Sequence, residues 1–437
     1  MKRKIFAMFD YVLILIVLLL VSMGVMFIYS SSINSEGVMV TNEYIKQIIW
    51  ASIGLVLMIA LTIYDYRKLE PISIYLFLIL IGLLIYTRLF GRYVNGAYSW
   101  IGIGDFGIQP SEFGKIFYIL FLARYLAQST NLPPLKRFFI ACIILIIPMG
   151  LILIQPDLGT ASVYLPIFLI MCFIAGIRVK YLLYVTSLGL LTIFFAILPL
   201  WNSEIRATPL AAVSILTDMK LRAILIASIT IIAVLGFIFR RYFHAPKWLS
   251  TVAHVLSIIA LSLVLSLVLG KVLKDYQIMR LIIFMNPDVD PQGAGWNIIQ
   301  SQTAIGAGGI FGKGFLKGTQ SHLRFLPQQS TDFIFSILSE EWGFAGGIAV
   351  FVCYLIILLK ILYIIKKCTN RYGMYICAGV FAMFSFHFLI NVGMVMGIMP
   401  ITGIPLLFLS YGGSSLLTSM SCVGLVMNVN YRKSDLN

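Results

Sequence analysis

The sequence predicts an all-α, polytopic integral membrane protein of about twelve transmembrane helices, and three observations predict it. Of 437 residues, 60% are hydrophobic and 11% charged, too apolar a balance for a chain that hydrates its own surface. Apolar stretches of roughly 20 residues, the length an α-helix needs to cross a hydrocarbon core about 30 Å thick, recur from end to end. Lys and Arg gather in alternate short loops between those stretches, as the positive-inside rule asks.

The first apolar run, 11–30, follows Met-Lys-Arg-Lys. Its length and the many runs after it mark a retained helix, not a cleaved signal. Further spans are expected at 45–64, 72–89, 112–128, 138–154, 160–176, 181–200, 223–239, 249–269, 344–365, 374–396 and 412–430. With a cytoplasmic N-terminus the inner loops collect Lys2, Arg3, Lys4, Arg67, Lys68, Arg124, Lys136, Arg137, Arg178, Lys180, Arg240, Arg241, Lys247, Lys360, Lys366, Lys367, Arg371, Arg432 and Lys433, 19 of the 32 basic residues. Both termini then lie in the cytoplasm. Residues 1–437 read as a single transmembrane domain, with no soluble domain and only loop outside the bilayer.

One segment, about 270–343, breaks the charge pattern. Expected on the outer face, it holds Lys271, Lys274, Arg280, Lys313, Lys317 and Arg324 and is rich in Gly and Pro. A connector of that length is usually functional, and its basic content suits an anionic ligand. Long outer loops also escape the charge rule, which accounts for the same residues without a ligand.

Several chemistries are excluded by pattern. The six cysteines show no CxxC spacing, and His244, His254, His322 and His387 are too scattered for a metal cluster. Gly-Gly-Ile-Phe-Gly-Lys-Gly is no Walker A loop, because GxxxxGK[ST] needs Gly at 307 and Ser or Thr at 314, where Ala307 and Gly314 stand. No nucleic-acid partner is expected.

Ionisable groups near membrane depth are costly unless paired or wet, so Asp332, Glu340 and Glu341 in LPQQSTDFIFSILSEEWGFAG (326–346) are the leading clue to function. Asp332 is the first candidate for chemistry, although an N-cap or first-turn acid fits the same local pattern. At least one of Glu340 and Glu341 reads as a wet helix end. Asp157, after Pro156, reads as a turn and N-cap. Glu112 and Lys115, spaced i,i+3 behind Pro110-Ser111, can simply pair, and Trp100 fits an interfacial belt.

These stretches together resemble a known family. QPSEFGK (109–115), QPDLGTA (155–161), KDYQ (274–277), QSxxAIGxGGxxGKGxxxGTQ (300–320), LPxxxTDFIFxxxxEExGF (326–344) and the SYGGSS end (410–415) are similar, in order, to the SEDS family of bacterial cell-wall polymerases, which includes RodA, FtsW and SpoVE. The likeness runs from about Trp100 to the last span, and GTQ ahead of the LP segment is more like RodA than FtsW. It implies a peptidoglycan glycosyltransferase that polymerises lipid II on the outer face of the bacterial cytoplasmic membrane for rod-shaped elongation. It also implies a class B penicillin-binding protein as partner, with other elongation-complex membrane proteins beside it. The family's essential acid in TDFIF maps onto Asp332. Trp100, Glu112, Lys115, Lys313, Lys317 and Gln320 are candidates for substrate binding, and Lys115, Lys313 and Lys317 for stabilising a leaving pyrophosphate. Glycines at 304–314 would let backbone approach the headgroup. No cofactor is certain; a divalent cation on the pyrophosphate stays open, with no ligand cluster legible.

Three departures stand out. The family typically has ten spans, and the two extra ones fall before KDYQ. Gln328 replaces a common Glu, and Ser99 stands where a basic residue often precedes the Trp. Two other readings remain open: a lipid II flippase, which should line several spans with mid-depth charge, and a role in division or sporulation.

Overall fold

The computed structural model describes residues 9–94, 96–103, 106–204, 210, 213, 215–243, 246–272, 275–285, 293–326 and 328–432. Lys2, Arg3, Lys4, Lys274 and Lys433, used above for orientation and for the KDYQ motif, lie outside them. The chain forms two compact units, residues 1–177 with 290–437, and residues 178–289.

The first unit opens with α1 (Tyr11–Ser31), α2 (Glu43–Ile63) and a 3₁₀ turn at Tyr66–Lys68 that runs into α3 (Leu69–Phe90). An antiparallel sheet of β1 (Arg92–Val94), β2 (Ala97–Ile103) and β3 (Phe106–Ile108) follows, then α4 (Pro110–Gln128), α5 (Pro134–Ile154) and α6 (Leu158–Ile174). The second unit carries α7 (Val179–Glu204), α8 (Met219–Tyr242), α9 (Lys247–Val272) and the shorter α10 (Asp275–Met285). The chain returns to the first unit with α11 (Ala294–Gly308), α12 (Thr319–His322), α13 (Ile334–Lys367), α14 (Arg371–Val395) and α15 (Gly413–Arg432).

Starts follow local chemistry. Asp10 caps α1 through Leu13 N at 3.3 Å, Asp157 caps α6 through Thr160 N at 3.0 Å, and Asn370 caps α14 through Gly373 N at 3.1 Å. Pro110 and Pro134 occupy first helical positions, where no N–H is needed.

Each of the twelve expected spans coincides with a helix, and nine of the described helices are long and apolar enough to cross a membrane. The other three differ for physical reasons. Helix α6 has 17 residues, α4 carries Glu112, Lys115 and Arg124, and α15 is rich in Ser, Thr and Asn. Polar helices belong inside a bundle, and Ser414 through Val429 of α15 are all buried. Small residues let α15 approach α2, with Gly424 on the Met58 backbone and Gly54 on Met420. The buried Ser419 hydroxyl is satisfied along its own helix, donating to Ser415 O at 2.7 Å.

Two expectations need correcting. The connectors are not all loop: the alternating stretch around Trp100 pairs into the small sheet, turned at Gly96 with φ 91°. The 270–343 segment likewise holds α10, α11, α12 and the start of α13. Helix α13 itself breaks at Gly343 (φ 66°, ψ −160°), giving a short arm, 334–342, ahead of the long one.

Hydrogen bonds order the two ends of the first unit. At one end basic side chains bind helix termini: Lys360 pairs with Asp10 at 2.9 Å, and Arg137 donates to Leu126 O at 2.7 Å and Ala175 O at 2.9 Å. Arg432 Nε lies 3.7 Å from Asp65. The opposite end of this unit gathers its own motifs, QPSEFGK, QPDLGTA, the Asp332 turn and SYGGSS.

Candidate functional site

Asp332 sits in the turn before α13. The cap position belongs to Phe333, so Asp332 is not the N-cap that its local sequence allows. Gln328 adopts a left-handed conformation, φ 53°, and its carbonyl accepts from Asp332 N at 3.1 Å and from Thr331 Oγ1 at 3.2 Å. On the other side the Asp332 carbonyl accepts from Asn391 Nδ2 at 3.0 Å. A half-buried carboxylate therefore rides on backbone fixed at both ends. The SYGGSS stretch docks on the same turn through Tyr411 N to Ser330 O at 2.8 Å.

Helix α14 links this turn to the QPSEFGK motif. Asn391 also donates to Ile404 O at 2.8 Å, and one turn earlier His387 lies 3.1 Å from Lys115 Nζ. Lys115 pairs with Glu112 Oε1 at 2.6 Å, as the i,i+3 spacing suggests, but both are buried, at 1% and 4% exposure. An ion pair this dry costs more than an apolar pair of like volume, which points to use rather than stability. Glu112 Oε2 and Asn391 Oδ1 are buried without hydrogen-bond partners among the described residues, as functional sites often leave them.

QPDLGTA closes the cluster. Asp157 Oδ2 accepts from Gln109 Nε2 at 2.8 Å while capping α6, and Gln109 N donates to Ser414 Oγ at 3.0 Å. Burial pushes the Asp157 carboxyl above its ordinary range, opposed in part by the Thr160 donors. Gly159 leaves room for the Thr402 carbonyl, which any side chain there would strike.

Glu340 and Glu341 are not a wet helix end; both are fully buried. Glu340 Oε1 accepts from Lys313 Nζ at 2.8 Å, Thr319 N at 2.8 Å and Gln320 N at 3.1 Å. Glu341 takes Leu316 N at 3.1 Å and the Ser30 hydroxyl. The glycine loop thus folds onto the short arm of α13, with Lys313 N on Glu340 O and Gly314 N on Glu341 O, both at 3.0 Å. Its glycines admit protein backbone: side chains at Gly308, Gly312 or Gly343 would strike the facing main chain.

The remaining candidates scatter. Lys313 is 30% exposed and tied to Glu340. Lys317 is exposed on a cleft of about 590 Å³ that His322 and Asn34 also line. Gln320 gives its N–H to Glu340, and its Oε1 is buried without a partner among the described residues. Trp100 lies in β2 over Gly107, where a Cβ would come within 2.9 Å of the ring. Sequence reasoning missed His387, Asn391 and Gln109. Only the i,i+4 spacing of His387 and Asn391 on an apolar helix could have flagged the first two. Among the described residues no three His, Cys, Asp or Glu side chains gather to hold a metal ion.

Comparison with known proteins finds the same chain plan elsewhere. A cell cycle protein family defined by FtsW, RodA and SpoVE matches residues 10–208 and 206–435. The chain is 54% identical over 430 residues to peptidoglycan glycosyltransferase RodA of Treponema pallidum, covering 97% of this chain and 98% of that one. It is 31% identical to stage V sporulation protein E of Bacillus subtilis, over 96% of each. Against peptidoglycan glycosyltransferase MrdB of Escherichia coli K12 the identity is 30%, over 98% of this chain and 95% of that one. The fold is similar to a chain of a peptidoglycan synthase complex, with TM-score 0.68 at 23% identity over 98% and 99% of the chains. It is also similar to crystalline RodA of Thermus thermophilus, with TM-score 0.61 at 22% identity over 98% of each.

Proposed function

The chain belongs to the FtsW, RodA and SpoVE family, and on that footing we propose that it is a peptidoglycan glycosyltransferase polymerising lipid II for rod-shaped growth. The observation that carries the mechanism is that α14 holds both motifs: Asn391 binds the Asp332 backbone carbonyl, and four residues earlier His387 meets Lys115, itself paired with Glu112. His387 and Asn391 lie one turn apart on that helix, so the turn that carries Asp332 and the buried Lys115 are both anchored to it.

Polymerisation joins two lipid-linked sugars. The acceptor's hydroxyl attacks the donor's anomeric carbon, and the bond from that carbon to the undecaprenyl pyrophosphate breaks. Asp332, fixed by its backbone yet half-buried, takes the hydroxyl proton as the new bond forms. Lys115 answers the charge growing on the leaving pyrophosphate, where a cation shielded from water acts most strongly. Lys317 and Gln320 flank this end and bind the headgroup more distantly, and Trp100 borders it through the sheet. Lys313, already committed to Glu340, acts by holding the loop.

The site end opposes the end where Arg67, Arg137, Lys360 and Arg432 cluster, which supports an extracytoplasmic site in the bacterial cytoplasmic membrane with the basic end inside. Likeness to a chain of a synthase complex supports a class B penicillin-binding protein as the partner that crosslinks the new strands. Incubating purified protein with lipid II and resolving the products by chain length tests the reading. Glycan strands are expected, and lipid II left as monomer by a well-folded preparation, with and without that partner, would overturn it.

A further inference from the structure

Lys115 is held by two groups, and the second has no part in the chemistry above. His387 is wholly buried on α14, with Nδ1 3.0 Å from the Pro405 carbonyl and Nε2 3.1 Å from Lys115 Nζ. A carbonyl only accepts and an ammonium only donates, so the two neighbours fix the ring. Nδ1 carries the proton and Nε2 offers its lone pair. Glu112 Oε1, 2.6 Å away, takes another N–H of Lys115. Two of its three N–H bonds are thereby directed, which sets the direction of the third. One turn along the same helix, Asn391 ties down the Asp332 carbonyl.

We propose that His387 is a positioning residue: as the Nδ1–H tautomer it aims the remaining N–H of Lys115 at the leaving pyrophosphate. The proposal rests on the glycosyltransferase reading. Its rival is that His387 only tethers the 397–412 stretch through Pro405.

The two amide replacements separate these roles. In His387→Gln the side-chain carbonyl reaches the former Nε2 position and still accepts from Lys115, but the Pro405 bond is lost. In His387→Asn the amide sits at the former Nδ1 position, keeps Pro405 and leaves Lys115. Lipid II polymerisation by the purified full chain is expected to show His387→Gln within about threefold of wild type. His387→Asn should lose about tenfold or more in kcat with KM little changed, the mark of an interaction used in the transition state. His387→Asn equal to or better than His387→Gln overturns the proposal.

Should neither variant fold, the native ring decides. In protein whose His244, His254 and His322 are replaced, ¹⁵N spectra of labelled histidine at neutral pH should show a protonated Nδ1 and an accepting Nε2. An Nε2–H tautomer or an imidazolium overturns the assignment. Asp332→Asn, assayed alongside, keeps the two claims apart. Activity in that variant sinks the glycosyltransferase site itself, whereas its loss together with unimpaired position-387 variants sinks only the role given to His387.

Discussion

Lys313 shows how burial redirects a residue's role. In a glycine-rich stretch it looks like an exposed cation with little packing to lose, yet its partner Glu340 is fully buried. Removing the cation leaves a carboxylate that keeps backbone donors from Thr319 and Gln320 but loses its counter-charge. Lys313→Ala should therefore lower stability by about 1–3 kcal/mol, less than breaking a fully buried pair costs, because Lys313 itself is partly wet. Thermal unfolding in detergent would show it. An unshifted midpoint with reduced turnover would return Lys313 to direct contact with substrate. At this scale Asp332 and the Glu112–Lys115 pair were legible, because charge in an apolar sequence is conspicuous. His387 and Asn391 were not, since an isolated polar residue on a helix is usually a satisfied core residue and their partners lie far away in sequence.

The break in α13 is the element that organises the site. Gly343 takes a left-handed φ of 66° against the Gly312 backbone, so the short arm can carry Glu340 and Glu341 into the glycine loop. Gly343→Ala adds both a strained φ and a main-chain clash, and about 2 kcal/mol or more should be lost. Limited proteolysis should then cut the 309–320 stretch faster than in wild type; an unchanged digestion rate would mean that the break does not hold the loop. The helices were legible because apolar runs of spanning length have few other solutions. The break was not, because glycine inside an apolar run also fits a straight helix packed closely on a neighbour. The sheet was missed for a similar reason: its strands span only three to seven residues, too short for a firm period-two signal.

At the scale of the molecule, the two spans expected beyond the family's ten fall in the second unit, where α8 and α9 are apolar helices flanked by Arg240, Arg241 and Lys247. If both cross the membrane, a reporter placed between Tyr242 and Lys247 will read as cytoplasmic, because Arg240, Arg241 and Lys247 flank the turn. An external signal there would leave the family's ten spans. The site needs only the first unit, whose ends separate a basic face from the motif face. That separation disfavours a transport path, which needs charge lining several spans at mid-depth. The proposed chemistry rests on the acid at the edge of the motif face. The most direct measurement is lipid II polymerisation by purified Asp332→Asn protein, which keeps shape and hydrogen-bonding capacity but removes the base. A loss of about a hundredfold or more, with folding intact, is expected of a general base. Polymerisation at a near wild-type rate would contradict the account.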